Sequence, residues 1–140
     1  MYEKKIPENH DCGISIAIKV LGGKWKAWII DCINQGVKRP SELHRQISIA
    51  SPRVINMQLR ELEEYGLISK TVYPGLPLKV EYFLTELGQS ILPVIAAMER
   101  WGNEKREDVL GPGYQFQAKC CEDMASEYLH EAYASNQLHQ

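Results

Sequence analysis

Ser51-Pro52-Arg53-Val54-Ile55-Asn56-Met57-Gln58-Leu59-Arg60-Glu61-Leu62-Glu63-Glu64-Tyr65-Gly66 reads as one helix with both ends marked. Ser51 is a capping residue, and Pro52 suits the first helical position because its missing N–H would be unpaired there anyway. Gly66 closes the far end. Val54, Ile55, Leu59 and Leu62 recur at helical spacing and form an inward face. Arg53, Asn56, Met57 and Arg60 are surface neighbours on the opposite face. Two guanidinium forks with an amide between them suit base edges and phosphates in a DNA major groove. A solvated helix surface has the same composition, so the segment that follows has to decide.

Ile68, Lys70 and Val72 alternate with their neighbours, as do Val80, Tyr82 and Leu84, and both segments read as strands. Tyr73-Pro74-Gly75-Leu76-Pro77 between them carries the Pro-Gly pair of a tight turn. A helix feeding directly into a hairpin, with Lys79 near the tip, describes a winged helix-turn-helix.

Short motifs agree in order and spacing from about Cys12 to Gly102. They are Gly22-Gly23-Lys24-Trp25, Ser41-Glu42-Leu43, Gln58-Leu59-Arg60-Glu61-Leu62-Glu63 and Gly66-Leu67-Ile68, then Tyr73-Pro74, Val80-Glu81-Tyr82, Leu84-Thr85, and Gly88 followed by Leu92-Pro93. Together they resemble the HxlR-type family of bacterial winged-helix regulators. The chain departs from that pattern at Pro40, where an aromatic is usual, and at Ser48-Ile49-Ala50, where a Pro-Gly turn is usual. The expected fold is mainly α with a small antiparallel β-hairpin wing (α+β), with N- and C-terminal dimerisation helices. The expected organisation is a mobile arm over residues 1–11, the DNA-binding and dimerisation domain over 12–110, and a helical extension over 111–140.

A chain of 140 residues, 44% hydrophobic and 24% charged, is sized for one soluble domain with its own core. The net charge of −2 argues against a generally basic nucleic-acid coat. It hides a division, however. Residues 19–82 hold ten Lys/Arg against six Asp/Glu, whereas residues 99–140 hold four against eight. Positive charge accompanies the reading head. The first residues are polar, and the apolar run 91–98 is too short to span a bilayer, so no membrane partner and a cytoplasmic location are expected. Four cysteines without a secretory context do not indicate a disulfide scaffold.

Along the chain, Asp11 can cap a first helix bearing Ile14, Ala17, Ile18 and Leu21, broken by Gly22-Gly23. A second helix is expected from about Lys24, with Trp25, Trp28, Ile29, Cys32 and Ile33 on one face. Residues 37–40 can pair with the wing as a very short third strand. Ser41 is read as the cap of a brief helix with Leu43 and Ile47 inward. Thr85 should cap one long helix with Leu87, Ile91, Val94, Ile95, Met98 and Trp101 along a seam, kinked at Pro93. The resemblance implies pairing with a second copy through the terminal helices. Ile14, Ile18, Ile91, Ile95, Met98 and Trp101 are the interface candidates. Cys121, Met124, Ala125, Tyr128 and Ala132 suggest a further amphipathic helix.

The expected partner is double-stranded DNA, bound by a homodimer on a pseudo-palindrome. Arg53 suits a bidentate contact to guanine, Asn56 adenine, Met57 a thymine methyl or the core edge, and Arg60 a phosphate. Ser41, Ser51 and Pro52 stand at helix starts, where free N–H groups receive phosphate. Lys24, Lys26, Lys38 and Arg39 are candidates for the backbone, and Lys79 for the minor groove or its phosphates. Cys12 falls where the family commonly has a cysteine, in some relatives a redox or electrophile sensor. A helix N-terminus lowers a thiol pKa, although Asp11 opposes this and a free cysteine also serves as a small apolar residue. Cys120-Cys121 offer a second redox candidate. No phosphate loop, paired metal motif or nucleophile setting is present, so no enzyme, cofactor or metal is expected. The rival is a winged helix used for protein contacts, against which Arg53 and Arg60 count.

Overall fold

The computed structural model describes residues 11–113. The arm before them and the extension after them, with Cys120, Cys121 and the expected further helix, lie outside the described residues. The elements run α1 (Gly13–Leu21), α2 (Lys26–Asn34), α3 (Pro40–Gln46), α4 (Pro52–Glu64), β1 (Ile68–Tyr73), β2 (Lys79–Leu84), α5 (Glu86–Ser90) and α6 (Leu92–Leu110). The two strands form an antiparallel hairpin pairing Ile68 with Leu84 and Tyr73 with Lys79. This is the winged helix-turn-helix that the sequence predicts.

The core collects one face from each helix around α2. Ile29, Ile30, Cys32 and Ile33 of α2 meet Leu43 and Ile47, Ile55, Leu59 and Leu62 of α4, and Leu92 and Ile95 of α6. Burying a Leu or Ile side chain contributes about 1.5–3 kcal/mol, so these faces set the angle between α3 and α4. Trp25 and Trp28 pack against the cluster half-buried, with ring centroids 5.9 Å apart.

Helix α4 begins and ends as the sequence predicts. Ser51 Oγ accepts from Val54 N–H at 3.2 Å, and Pro52 occupies the first turn. At the far end Gly66 takes φ +79°, while Leu67 N–H reaches Leu62 C=O and Gly66 N–H reaches Glu63 C=O, both at 3.0 Å. That pair is a Schellman closure, and it turns the chain into β1.

Several local expectations are corrected. Cys12, not Asp11, is the N-cap of α1, and α2 starts at Lys26 with Trp25 as its N-cap rather than near Lys24. Ser41 is not a cap. Pro40 takes the first position of α3 and moves the N-cap to Arg39, which leaves Ser41 exposed inside the first turn. Residues 37–40 form no strand, and a single backbone bond, Tyr82 N–H to Lys38 C=O at 2.8 Å, ties them to the wing. The expected long kinked helix is two helices. Thr85 caps only α5, through Gly88 N–H at 3.1 Å, and the chain turns at Ile91. Pro93 then lies in the first turn of α6, where a missing N–H leaves no bond unmade, so it starts a helix instead of bending one.

Candidate nucleic-acid interface

The face of α4 opposite Ile55, Leu59 and Leu62 is open to solvent. Arg53, Asn56, Met57 and Arg60 are all exposed there, Met57 at 49%, which places its thioether outside the core. Arg53 makes no ion pair among the described residues. Arg60 lies toward the base of the wing. It is close enough to Tyr82 to oppose the rise in that phenol's pKa caused by burial and by Glu63. Ser51 and Pro52 are exposed at the helix start.

One member of this face is held from the neighbouring helix. His44 Nε2 of α3 lies 3.0 Å from Asn56 Oδ1. Sequence reasoning missed His44 because twelve residues separate the pair and a histidine on a short polar helix shows no pattern. Only the angle between the two helices brings them together.

The flanking cations divide. Lys24 and Arg39 are exposed and Lys38 is half-buried, with its ammonium 4.9 Å from the centroid of the Phe83 ring. Lys26 is removed from the surface. It is 6% exposed, and its ammonium sits 2.5 Å from Glu61 and 3.3 Å from Gly22 C=O. The physical reason is its position as the first residue of α2, which turns it toward α4 rather than outward. It ties the central helix to the exposed one, and it is unavailable to phosphate.

Lys79, at the start of β2, stands 3.0 Å from Glu81, and Arg39 approaches the same carboxylate at 3.9 Å. Lys79 also lies 5.2 Å from the centre of the Tyr73 ring. Glu81 therefore offsets two cations of the wing edge. Glu81→Gln is expected to tighten binding to any duplex and steepen the log–log salt dependence by about 0.9 per cation released. Titrations at several salt concentrations measure it, and an unchanged slope would show that Glu81 holds back neither cation.

A second surface lies away from α4. Ile14 (72% exposed), Ile16 and Ile18 of α1, and Val94, Met98, Trp101 (60% exposed), Val109 and Leu110 of α6, are uncovered. A cavity of about 470 Å³ opens between α2 and α6, with Trp28, Ile95, Met98, Trp101 and Leu110 among its walls. Of the expected interface residues, Ile95 is instead buried in the protomer's own core, and Ile91 packs against it. Leu92, Ile95 and Ala96 form the inward row of α6, and the outward row is Val94, Met98 and Trp101. Among the described residues no cluster of His, Cys, Asp or Glu is placed to hold a metal ion, and no helix is long and apolar enough to cross a membrane.

A capped, outward helix beside a two-stranded wing is the reading head of a DNA-binding transcriptional regulator. Residues 20–109 match the model of the HxlR-like helix-turn-helix family, and the chain belongs to that family. It is 42% identical over 91 residues to an uncharacterised HTH-type transcriptional regulator of Methanothermobacter thermautotrophicus, covering 65% of this chain and 70% of that one. It is 38% identical over 109 residues to the HTH-type regulator YybR of Bacillus subtilis, covering 76% and 87%. Among solved structures, the redox regulator HypR in its reduced form superposes with a TM-score of 0.67 at 35% identity, over 71% of this chain and 98% of that one.

Proposed function

We propose that the protein regulates transcription as a homodimer on a pseudo-palindromic operator, with α4 of each protomer in the major groove and the wing beside it. The observation that carries this reading is the exposed row Arg53, Asn56, Met57 and Arg60 on a helix whose other face is fully committed to the core. Dimerisation is supported by α1, which buries only Leu21 and leaves three isoleucines in water. A row of that kind marks a contact surface. A second copy covering α1 and the outer row of α6 would set the two reading helices about 34–36 Å apart. Fluorescence anisotropy with the duplex upstream of the protein's own gene, against a scrambled duplex at two salt concentrations, tests the function. Selective, salt-dependent binding supports it. Failure to bind either duplex at low salt would favour the protein-contact reading.

The trigger we propose is the thiol of Cys12. Cys12 is the N-cap of α1 and partly exposed. Its pKa is lowered first by the Ser15 backbone N–H, then by the Ser15 hydroxyl and the Ile14 N–H, so more of the reactive thiolate is present near neutral pH. The likeness to HypR, a redox regulator, supports the same reading. Cys32, by contrast, is fully buried in the core. Oxidation of Cys12 at the edge of the proposed dimer contact should shift operator affinity by about fivefold or more. The check is anisotropy before and after hydrogen peroxide, with Cys12→Ser as control. An equal response from the variant would remove Cys12 from the role.

A further inference from the structure

We propose that the tip of the wing is an apolar wedge, in which Leu76 enters a base step from the minor groove, unstacks it and kinks the operator. The proposal rests on the reading above that α4 lies in the adjacent major groove.

From Thr71 to Leu78 the hairpin carries no charged residue, and every residue from Thr71 to Lys79 is exposed. Leu76 is fully exposed at the turn, with Val72, Tyr73 and Leu78 uncovered around it. None of these four side chains packs against the core of the described residues. A group of apolar side chains held in water marks a contact surface. Pro74 and Pro77 flank Leu76 and restrict the backbone there, so little freedom is lost when the tip is buried.

Position argues that this surface meets DNA. The hairpin springs from the C-terminal end of α4, where Leu67 N–H reaches Leu62 C=O at 3.0 Å and Lys70 stands 3.8 Å from Glu63. The six residues of β1 then advance about 3.3 Å each, or about 17 Å from Ile68 to Tyr73. Half a helical turn of about 34–36 Å, the step from one groove to the next, is about the same length.

The chemistry of the tip selects the mode of contact. Reading the minor groove by charge needs a free cation, whereas Lys79, at the start of β2, stands 3.0 Å from Glu81. The groove floor presents the acceptors N3 and O2, which a leucine resting on it would cover without offering a donor. Between two base pairs the same side chain meets apolar faces instead. Leucine and proline are among the residues that part base steps in this way, bending the duplex by about 20–90° toward the major groove. TA and CA steps unstack most readily, so the wing should favour them at a position that α4 never touches.

The test uses the full-length protein and an operator duplex selected from a randomised pool, its two ends labelled with a donor and an acceptor dye. Wild-type protein should bring the ends together by a bend of about 20° or more. Leu76→Ser should abolish the bend and weaken binding by about threefold to tenfold, the burial of one leucine less the unstacking it causes. Its melting temperature and the sequence preference at the pairs read by α4 should stay as in the wild type. Leu76→Phe, which keeps an apolar wedge, should keep the bend. A single mismatch moved along the duplex should tighten wild-type binding by about fivefold about five base pairs from the pair that answers to Arg53, where the unstacking is already done. The same mismatch should leave Leu76→Ser unchanged.

A bend that survives Leu76→Ser would overturn the proposal, as would a mismatch that helps both proteins equally. Equal affinity of Leu76→Ser and wild type for the operator would overturn it as well and assign the tip to a protein partner. If wild-type protein binds no duplex, the DNA-binding reading falls first, and the wedge with it. Selective binding to a straight operator removes the wedge alone.

Discussion

Arg53→Ala is expected to weaken operator binding by about 1–3 kcal/mol and to relax specificity at one base pair while leaving the rest of the motif readable. Arg53 is in the first turn of α4, directly after the Ser51 cap and Pro52, the end of the helix that the proposed reading places in the groove. Its guanidinium is exposed and makes no ion pair among the described residues, so no internal partner has to be given up on binding. The planar fork offers two parallel donors to O6 and N7 of guanine, and alanine offers none. Because the side chain supports nothing inside the protein, the variant should melt with the wild type. Competition against duplexes substituted one pair at a time checks this. An even loss across all of them would reassign Arg53 to phosphate.

Gly88→Ala is expected to destabilise the fold by about 2–4 kcal/mol, lowering the melting temperature by about 10 °C or more. Gly88 is buried in α5, and a Cβ placed there would stand 2.0 Å from the carbonyl oxygen of Leu67 and 3.4 Å from the Leu84 side chain. That carbonyl cannot retreat freely. It accepts from Thr85 N–H at 3.0 Å, and the Thr85 hydroxyl donates to the neighbouring Gly66 carbonyl at 2.6 Å, the bonds that join the start of β1 to the end of β2. A methyl group at Gly88 therefore pushes apart the strands of the wing at their root. The sign is informative, because alanine in an uncrowded helix would stabilise by about 1 kcal/mol. Thermal unfolding followed by circular dichroism decides between the two. A melting temperature at or above that of the wild type would show that the junction opens without loss.

Much of this protein was legible before its structure. The reading helix announces itself locally, because Ser51-Pro52 and Gly66 mark its ends and the apolar spacing between them sets its buried face. The wing announces itself too, because alternation and a Pro-Gly turn are short-range signals. Proline was harder. By sequence Pro40 ends a short strand and Pro93 kinks a helix, yet both sit in the first turn of a helix, and their effect depends on where the chain before them has already turned.

The sequence by itself determined the class of fold and the helix whose exposed face carries Arg53, Asn56, Met57 and Arg60, since these follow from residue order over a single element. The tertiary structure decided which side chains on that surface are free to act. It withdrew Lys26 into a pair with Glu61, set Glu81 against Arg39 and Lys79, turned Ile95 into the core and brought His44 onto Asn56. The Lys26, Arg39–Glu81, Ile95 and His44 contacts join side chains on different elements, and their partners are chosen by the angles at which those elements pack. No spacing along the chain encodes those angles.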